Sequence, residues 1–132
     1  MSQGGNAVKS GQELENKVQA IFDSYDFNYE KQVPFINTYT LPGKMDFVID
    51  NIAIECKNQN GTGTADQKFP FVYDDLCLFP SERGLVVLGG RWYTEGPKAE
   101  AIHRYLDKKK EETPTFDWCL IDGFDSWLQE NL

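Results

Sequence analysis

Apolar residues recur at helical spacing early in the chain. Leu14, Val18, Ile21 and Phe22 stand between polar residues, so GQELENKVQAIFDSY predicts an amphipathic helix starting at Gly11. Ser10 stands where an N-cap belongs, and Glu13 supplies the third position of a capping box. Residues 1–10 then read as a flexible lead-in. From Asn28 to Ile36, NYEKQVPFI has strand character; its Pro34, which has no N–H to donate, places that strand at a sheet edge. After the turn residues of TYTLPGK, two apolar strands, Lys44–Ile49 and Ile52–Lys57, are joined tightly at Asp50-Asn51. NQNGTGTADQ is a glycine-rich loop. Thr64 and Gln67 form a second capping box before a helix over Ala65–Leu78, with Pro70 in its early turns. GLVVLGG, Gly84–Gly90, is a continuous apolar run that suits a strand covered on both faces. A helix from Gly96 to Glu111, a strand over Phe116–Ile121 and a short helix over Phe124–Leu128 complete the order. Three consecutive strands followed by a helix and a returning strand imply an α/β fold with a mixed central sheet flanked by helices.

Composition narrows the function classes. A chain of 132 residues, 40% of them hydrophobic, suits one domain over residues 11–132 with an ordinary core. No apolar run approaches the ~20 residues of a membrane span. MSQGGNAVKSGQ lacks the basic-then-apolar layout of a secretion signal, which points to a cytoplasmic home. Cys56, Cys77 and Cys119 form no zinc pattern or disulfide framework and read as small core residues in a reducing compartment. The net charge of −8 argues against a large non-specific nucleic-acid footprint. A local basic strip in one cleft is still compatible with it.

The hairpin strands carry the candidate chemistry. Alternation puts Ile52, Ile54 and Cys56 on one face of their strand, and Ala53, Glu55 and Lys57 on the other. In the preceding strand it groups Met45, Phe47 and Ile49 against Asp46 and Val48. Across the turn, Asp46 comes beside Glu55. Two close carboxylates repel unless one protonates or a cation bridges them. Hard oxygen donors of this kind suit Mg²⁺, with Mn²⁺ as a substitute. Such an ion polarises a phosphoryl oxygen and activates water, and Lys57 is placed to orient that water or offset charge developing on phosphorus.

Asp46, eight intervening residues and then Glu55-x-Lys57, on a hairpin after a helix and a strand, resembles the PD-(D/E)xK nuclease superfamily. Met45 stands where such motifs usually carry proline. The Gly11-x-x-x-Glu15 helix resembles that of archaeal Holliday junction resolvases and phage junction-resolving endonucleases. The resemblance implies a restriction-endonuclease-like αβββαβ core and a third acid at Glu15, so that Asp46, Glu55 and Glu15 bind the metal. It also implies a polar contact to phosphate or water from Gln59, and a phage or prokaryotic setting.

Other residues are less specific. Lys68 reads either as a phosphate contact or as a solvated helix end, and Gln67 beside it and Lys44, at the start of the first hairpin strand, are further candidates for substrate binding. Gly61 and Gly63 read as a phosphate-approaching or plain loop. His103 lies outside the motif. Arg104 and Lys108–Lys110 read as a solvated helix end or a phosphate-tracking strip, and the Asp74-Asp75 pair as a solvated turn of helix. The expectation is a Mg²⁺-dependent endonuclease acting on DNA, a homodimer if both strands are cut, with a protein partner as an alternative source of DNA-binding surface. The alternatives are an RNA-cleaving enzyme and a nuclease-fold module for protein assembly, the latter suggested by Trp92, Trp118 and Trp127 as outward-facing aromatics.

Overall fold

A computed structural model describes residues 3–60 and 68–132, with side chains from residue 11 onward. The elements run α1 (Gln3–Ser24), β1 (Glu30–Ile36), β2 (Pro42–Ile49), β3 (Ile52–Asn58), α2 (Phe69–Leu78), β4 (Arg83–Gly89), α3 (Arg91–Thr94), α4 (Gly96–Glu112), β5 (Phe116–Leu120), a 3-10 turn and α5 (Phe124–Asn131). Among the described residues, five strands form one sheet in the order β1-β2-β3-β4-β5. The first three pair antiparallel, and β3, β4 and β5 pair parallel, giving the mixed α/β sheet that the element order implies. No helix among the described residues is long and apolar enough to cross a membrane.

Pro34 lies in β1, an edge strand, where a missing N–H need not break a ladder. The β2–β3 hairpin turns at Asp50, whose φ of 50° is left-handed, a conformation that aspartate tolerates better than most residues. Every residue of β4 from Gly84 to Gly89 is buried, as expected of a strand covered on both faces. On one face, Leu14, Val18 and Phe22 of α1 and Phe124, Trp127 and Leu128 of α5 pack on Phe47, Ile49, Ile52, Ile54, Leu85 and Val87. On the other, Val72 and Leu76 of α2 and Ile102 and Leu106 of α4 pack on Ala53, Val86, Leu88 and Phe116.

Several expectations are corrected. The first helix begins at Gln3, so Ser10 lies within it and not at its N-cap position. Once a helix is nucleated, each further residue adds a hydrogen bond, and propagation carries it past a weak stop. The boxed cap of Thr64 and Gln67, with Gly61 and Gly63, lies outside the described residues; α2 is described from Phe69, with Pro70 in its first turn. Cys77 is exposed, because Val72, Leu76 and Phe79 define the buried side of the segment. Trp92, Trp118 and Trp127 do not form an outward aromatic surface. Trp127 is buried and the other two pack partly against the core.

Candidate active site

Alternation in β2 breaks at Asp46. Met45 lies in the core beneath α2 and α4, whereas Phe47 and Ile49 lie in the core beneath α1 and α5. The expectation that Met45 shares a face with Phe47 is therefore corrected. The β2–β3 register runs Ile49↔Ile52, Val48↔Ala53 and Phe47↔Ile54, and then side chains take over from the main-chain ladder. The Asp46 N–H donates to Glu55 Oε1 at 3.3 Å, and the Cys56 N–H donates to Asp46 Oδ2 at 2.8 Å. Side-chain carboxylates thus satisfy backbone donors that the diverging strands leave without carbonyl partners. On the opposite flank, Gln32 of β1 has a φ of 54°, an unusual value for a residue with a side chain. Asp46 thus has a left-handed residue on its β1 side and the end of the β2–β3 ladder on its β3 side.

The disrupted position gathers polar side chains from three elements. Glu55 and Lys57 share the α2-facing side of β3, with Lys57 Nζ 3.6 Å from Glu55 Oε2. Glu15 reaches Asp46 from α1 and accepts a hydrogen bond from Gln32 Nε2 at 2.9 Å. Gln32 also hydrogen-bonds the Asp46 carboxylate, so it ties the helix acid to the strand acid. Asp46 stands between the other two acids. Among the described residues, no group of three or more His, Cys, Asp or Glu side chains is gathered closely enough to hold a metal ion.

The electrostatics follow from burial and like charge. Desolvation pushes the Glu55 carboxyl up to about 8, the Asp46 charge adds to this, and Lys57 opposes it. Burial also raises Asp46, against the Cys56 N–H and the Lys57 charge, which favour its ionised form. Glu15 is raised by burial and by Asp46. Cys56, between these acids, is buried, and its thiol is held well above its ordinary value first by burial and then by the neighbouring carboxylates. It is an unreactive core residue, as expected.

This donor set fits a hard divalent cation. Burial strains both Asp46 and Glu55 toward protonation, the Asp46 charge adds to this at Glu55, and a positive charge between them relieves the strain. Mg²⁺ takes only one or two protein carboxylates and fills its remaining positions with water and phosphate. Two acids from adjacent strands, with a lysine alongside, meet that requirement.

The site opens into two grooves that share Lys57, Lys68 and Val72. One, of about 380 Å³, is lined by Asn37, Thr38, Tyr39, Glu55, Phe71 and Asp75 as well. The other, of about 260 Å³, adds Asn58, Gln59, Phe69 and Tyr93. Lys68 thus stands at the site from the start of α2. Gln59 borders it and is fixed through its backbone, which donates to Gly89 O at 3.2 Å and accepts from Trp92 N at 2.9 Å. Lys44 lies exposed opposite Pro34 and lines neither groove. Gln67 lies outside the described residues.

Residues further along the chain hold other positions. His103 Nε2 bonds the Tyr93 carbonyl at 2.8 Å and its ring stacks on Trp118, a packing role. Lys109 pairs with Glu112 and Lys110 with Asp117, each at 3.1 Å, so two of the three helix-end lysines are engaged with acids. Asp75 is not a solvated helix acid. Its Oδ1 accepts from Thr38 N at 2.9 Å and Thr38 Oγ1 at 2.6 Å, holding the β1–β2 loop over the groove. Gln32 and Asp75 are the site residues that sequence reasoning missed, and neither has a sequence signal. Each depends on a contact between segments far apart in the chain.

A family model describing a PD-(D/E)XK nuclease superfamily domain matches residues 6–120. No curated protein and no solved structure matches the chain.

Proposed function

This chain belongs to the PD-(D/E)XK nuclease superfamily, and from that premise we propose that it is a Mg²⁺-dependent endonuclease hydrolysing phosphodiester bonds in DNA. The observation that carries the reading is the locked pair Asp46 and Glu55 with Lys57 3.6 Å from Glu55, at the mouth of a groove. Asp46 and Glu55 hold the cation, and Glu15 completes the acidic site through its contact with Asp46. When bound, Mg²⁺ supplies charge neutralisation at the phosphoryl oxygens and an acidified water. Lys57 holds its ammonium beside Glu55, where it orients the attacking water and offsets negative charge that grows on the phosphate. Lys68, across the groove, provides a second cation for the backbone, and Gln59 a polar contact at its edge. The hairpin backbone fixes the geometry in advance, so little reorganisation accompanies the reaction.

The net charge of −8 fits this reading if cations are local to the groove and acids lie elsewhere. Cleaving both strands of a duplex requires two such sites, hence a homodimer on that substrate. The test is cleavage of labelled duplex, single-stranded and four-way-junction DNA, with single-stranded RNA alongside, in Mg²⁺ or Mn²⁺. Glu55→Gln and Lys57→Ala each should slow metal-dependent cutting of DNA by roughly 10²-fold or more, the scale for losing one focused electrostatic contact. Failure of the pure protein to cut any substrate, with no metal binding by calorimetry, would overturn the reading. Cutting confined to RNA would overturn its DNA specificity.

A further inference from the structure

The groove beside Glu55 and Lys57 is bordered by an aromatic pair that the hydrolytic chemistry does not use. Tyr39, in the β1–β2 loop, is 62% exposed, and Phe71, on α2, is 37% exposed. Their ring centroids lie 4.7 Å apart at an interplanar angle of 41°. Both line the groove that also contains Glu55, Lys57 and Lys68.

The loop that presents Tyr39 is built rather than slack. Asn37 Oδ1 accepts from Tyr39 N at 2.9 Å and from Leu41 N at 3.1 Å. Asp75 anchors Thr38 from the α2 side. Thr40 takes a φ of 62°, a strained value for a β-branched residue, in a loop held by contacts on both sides of Tyr39. Phe71 backs the Tyr39 ring. An exposed ring held this way loses little freedom when a flat partner covers it.

We propose that Tyr39, backed by Phe71, is a stacking platform for an unpaired nucleobase next to the scissile phosphate, making the substrate class DNA with a single-stranded segment at the active site. This rests on the nuclease reading above and specifies its substrate. The lining selects the occupant: a nucleotide presents a flat aromatic base and an anionic phosphate together, and the groove offers exposed rings beside Lys57 and Lys68, while its two acids are engaged, Glu55 with Lys57 and Asp75 with Thr38. Stacking is also a source of affinity that does not depend on the net charge, which for this chain is −8. A base within a duplex keeps its faces against its neighbours and gives the platform nothing to stack on. Tyr39 and Phe71 are positioning and specificity residues here, with the bond-breaking left to the acids and Lys57.

The experiment is equilibrium binding in Ca²⁺, by anisotropy, of a single-stranded oligonucleotide and a blunt duplex of the same sequence. It is paired with fluorescence of 2-aminopurine placed at successive positions of the single strand. The expected result is tighter binding of the single strand, with quenching of 2-aminopurine at the stacked position. Tyr39→Ala should weaken single-strand binding roughly tenfold, within the range of one lost base–aromatic stack, and abolish the quenching. Tyr39→Phe should retain both, and Leu78→Ala, exposed at the far end of α2, should change neither. Equal affinity for the blunt duplex, or unaltered single-strand binding and quenching in Tyr39→Ala, would overturn the proposal. So would a wild-type dimer that Tyr39→Ala dissociates, since the rings would then be an interface between copies. Stacking is read without cleavage, so quenching by a protein that cuts nothing removes the nuclease reading and leaves the platform. Cutting without any effect at Tyr39 does the reverse.

Discussion

Asp46 and Glu55 are bound to each other through one backbone amide. The Asp46 N–H donates to the Glu55 carboxylate at 3.3 Å while the Asp46 carboxylate accepts from the next amide along β3, that of Cys56, at 2.8 Å. Each acid is therefore held by the opposite strand, and their side chains cannot separate to relieve their repulsion without giving up these two hydrogen bonds. The first consequences are for pH and for cations.

Stability without metal should fall as pH rises from about 5 to 8. Glu55 is raised from 4.5 to about 8, chiefly by burial, so the folded state binds more protons than the unfolded state across that window. The stabilisation is complete below the unfolded value and is lost as pH rises through the folded one. Asp46 and Glu15 are raised in the same direction. Thermal melts in chelator at pH 5 and pH 8 should show the lower midpoint at pH 8, and Glu55→Gln should flatten the difference. A midpoint that rises between these pH values would refute the assignment.

Added Mg²⁺ should then stabilise the protein more at pH 8 than at pH 5, because protons and the cation compete for the same carboxylates. A shift in melting midpoint at millimolar Mg²⁺ that vanishes in Asp46→Asn is the expected outcome. The side-chain amide oxygen of that variant can still accept from Cys56 N, so it should fold. An equal Mg²⁺ shift in Asp46→Asn and wild type would place the ion elsewhere.

Gly90→Ala should destabilise the fold by roughly 1–3 kcal/mol, the range for strain at a special backbone position. Gly90 has a φ of 83°, and an added Cβ would fall 2.3 Å from the Gln59 carbonyl oxygen. That carbonyl accepts from Trp92 N, so the contact couples the end of β3 to α3. Urea denaturation measures the loss, and wild-type stability in the variant would show that the backbone accommodates the clash freely.

Asp117→Ala should cost about 1–3 kcal/mol at neutral pH, because it leaves partly buried donors without their acceptor. Asp117 accepts from Trp127 Nε1 and from its neighbour Trp118 N, both at 2.8 Å, and pairs with Lys110. Burial opposes its ionisation, but these hydrogen bonds and the Lys110 charge prevail and hold its carboxyl below the usual value. A depressed carboxylate contributes stability above its unfolded value of 3.8 and loses it as pH falls through the folded one. The wild-type advantage over Asp117→Ala, read from urea midpoints, should therefore be full at pH 7 and shrink in acid. An advantage that does not change down to pH 2 would sink this account.

The sequence by itself determined the elements and most of the chemistry. Helical spacing from Leu14 to Phe22 placed α1 on the sheet, Pro34 placed β1 at the edge, and an unbroken apolar run made β4 the covered strand. Alternation in β3 put Glu55 and Lys57 on one side, and the short turn at Asp50-Asn51 brought Asp46 to Glu55. These are local consequences of backbone geometry, and a pattern over a few residues carries them. Only the tertiary structure decided the break of alternation at Asp46, which sends Met45 to the opposite core from Phe47. That break is stabilised by side-chain carboxylates replacing main-chain acceptors across two strands, and it lies beside a left-handed residue on a third, Gln32. The roles of Gln32 and Asp75 and the meeting of Tyr39 with Phe71 likewise belong to the tertiary structure. Each is a contact between segments that the fold alone makes neighbours, and no local periodicity encodes which two segments meet.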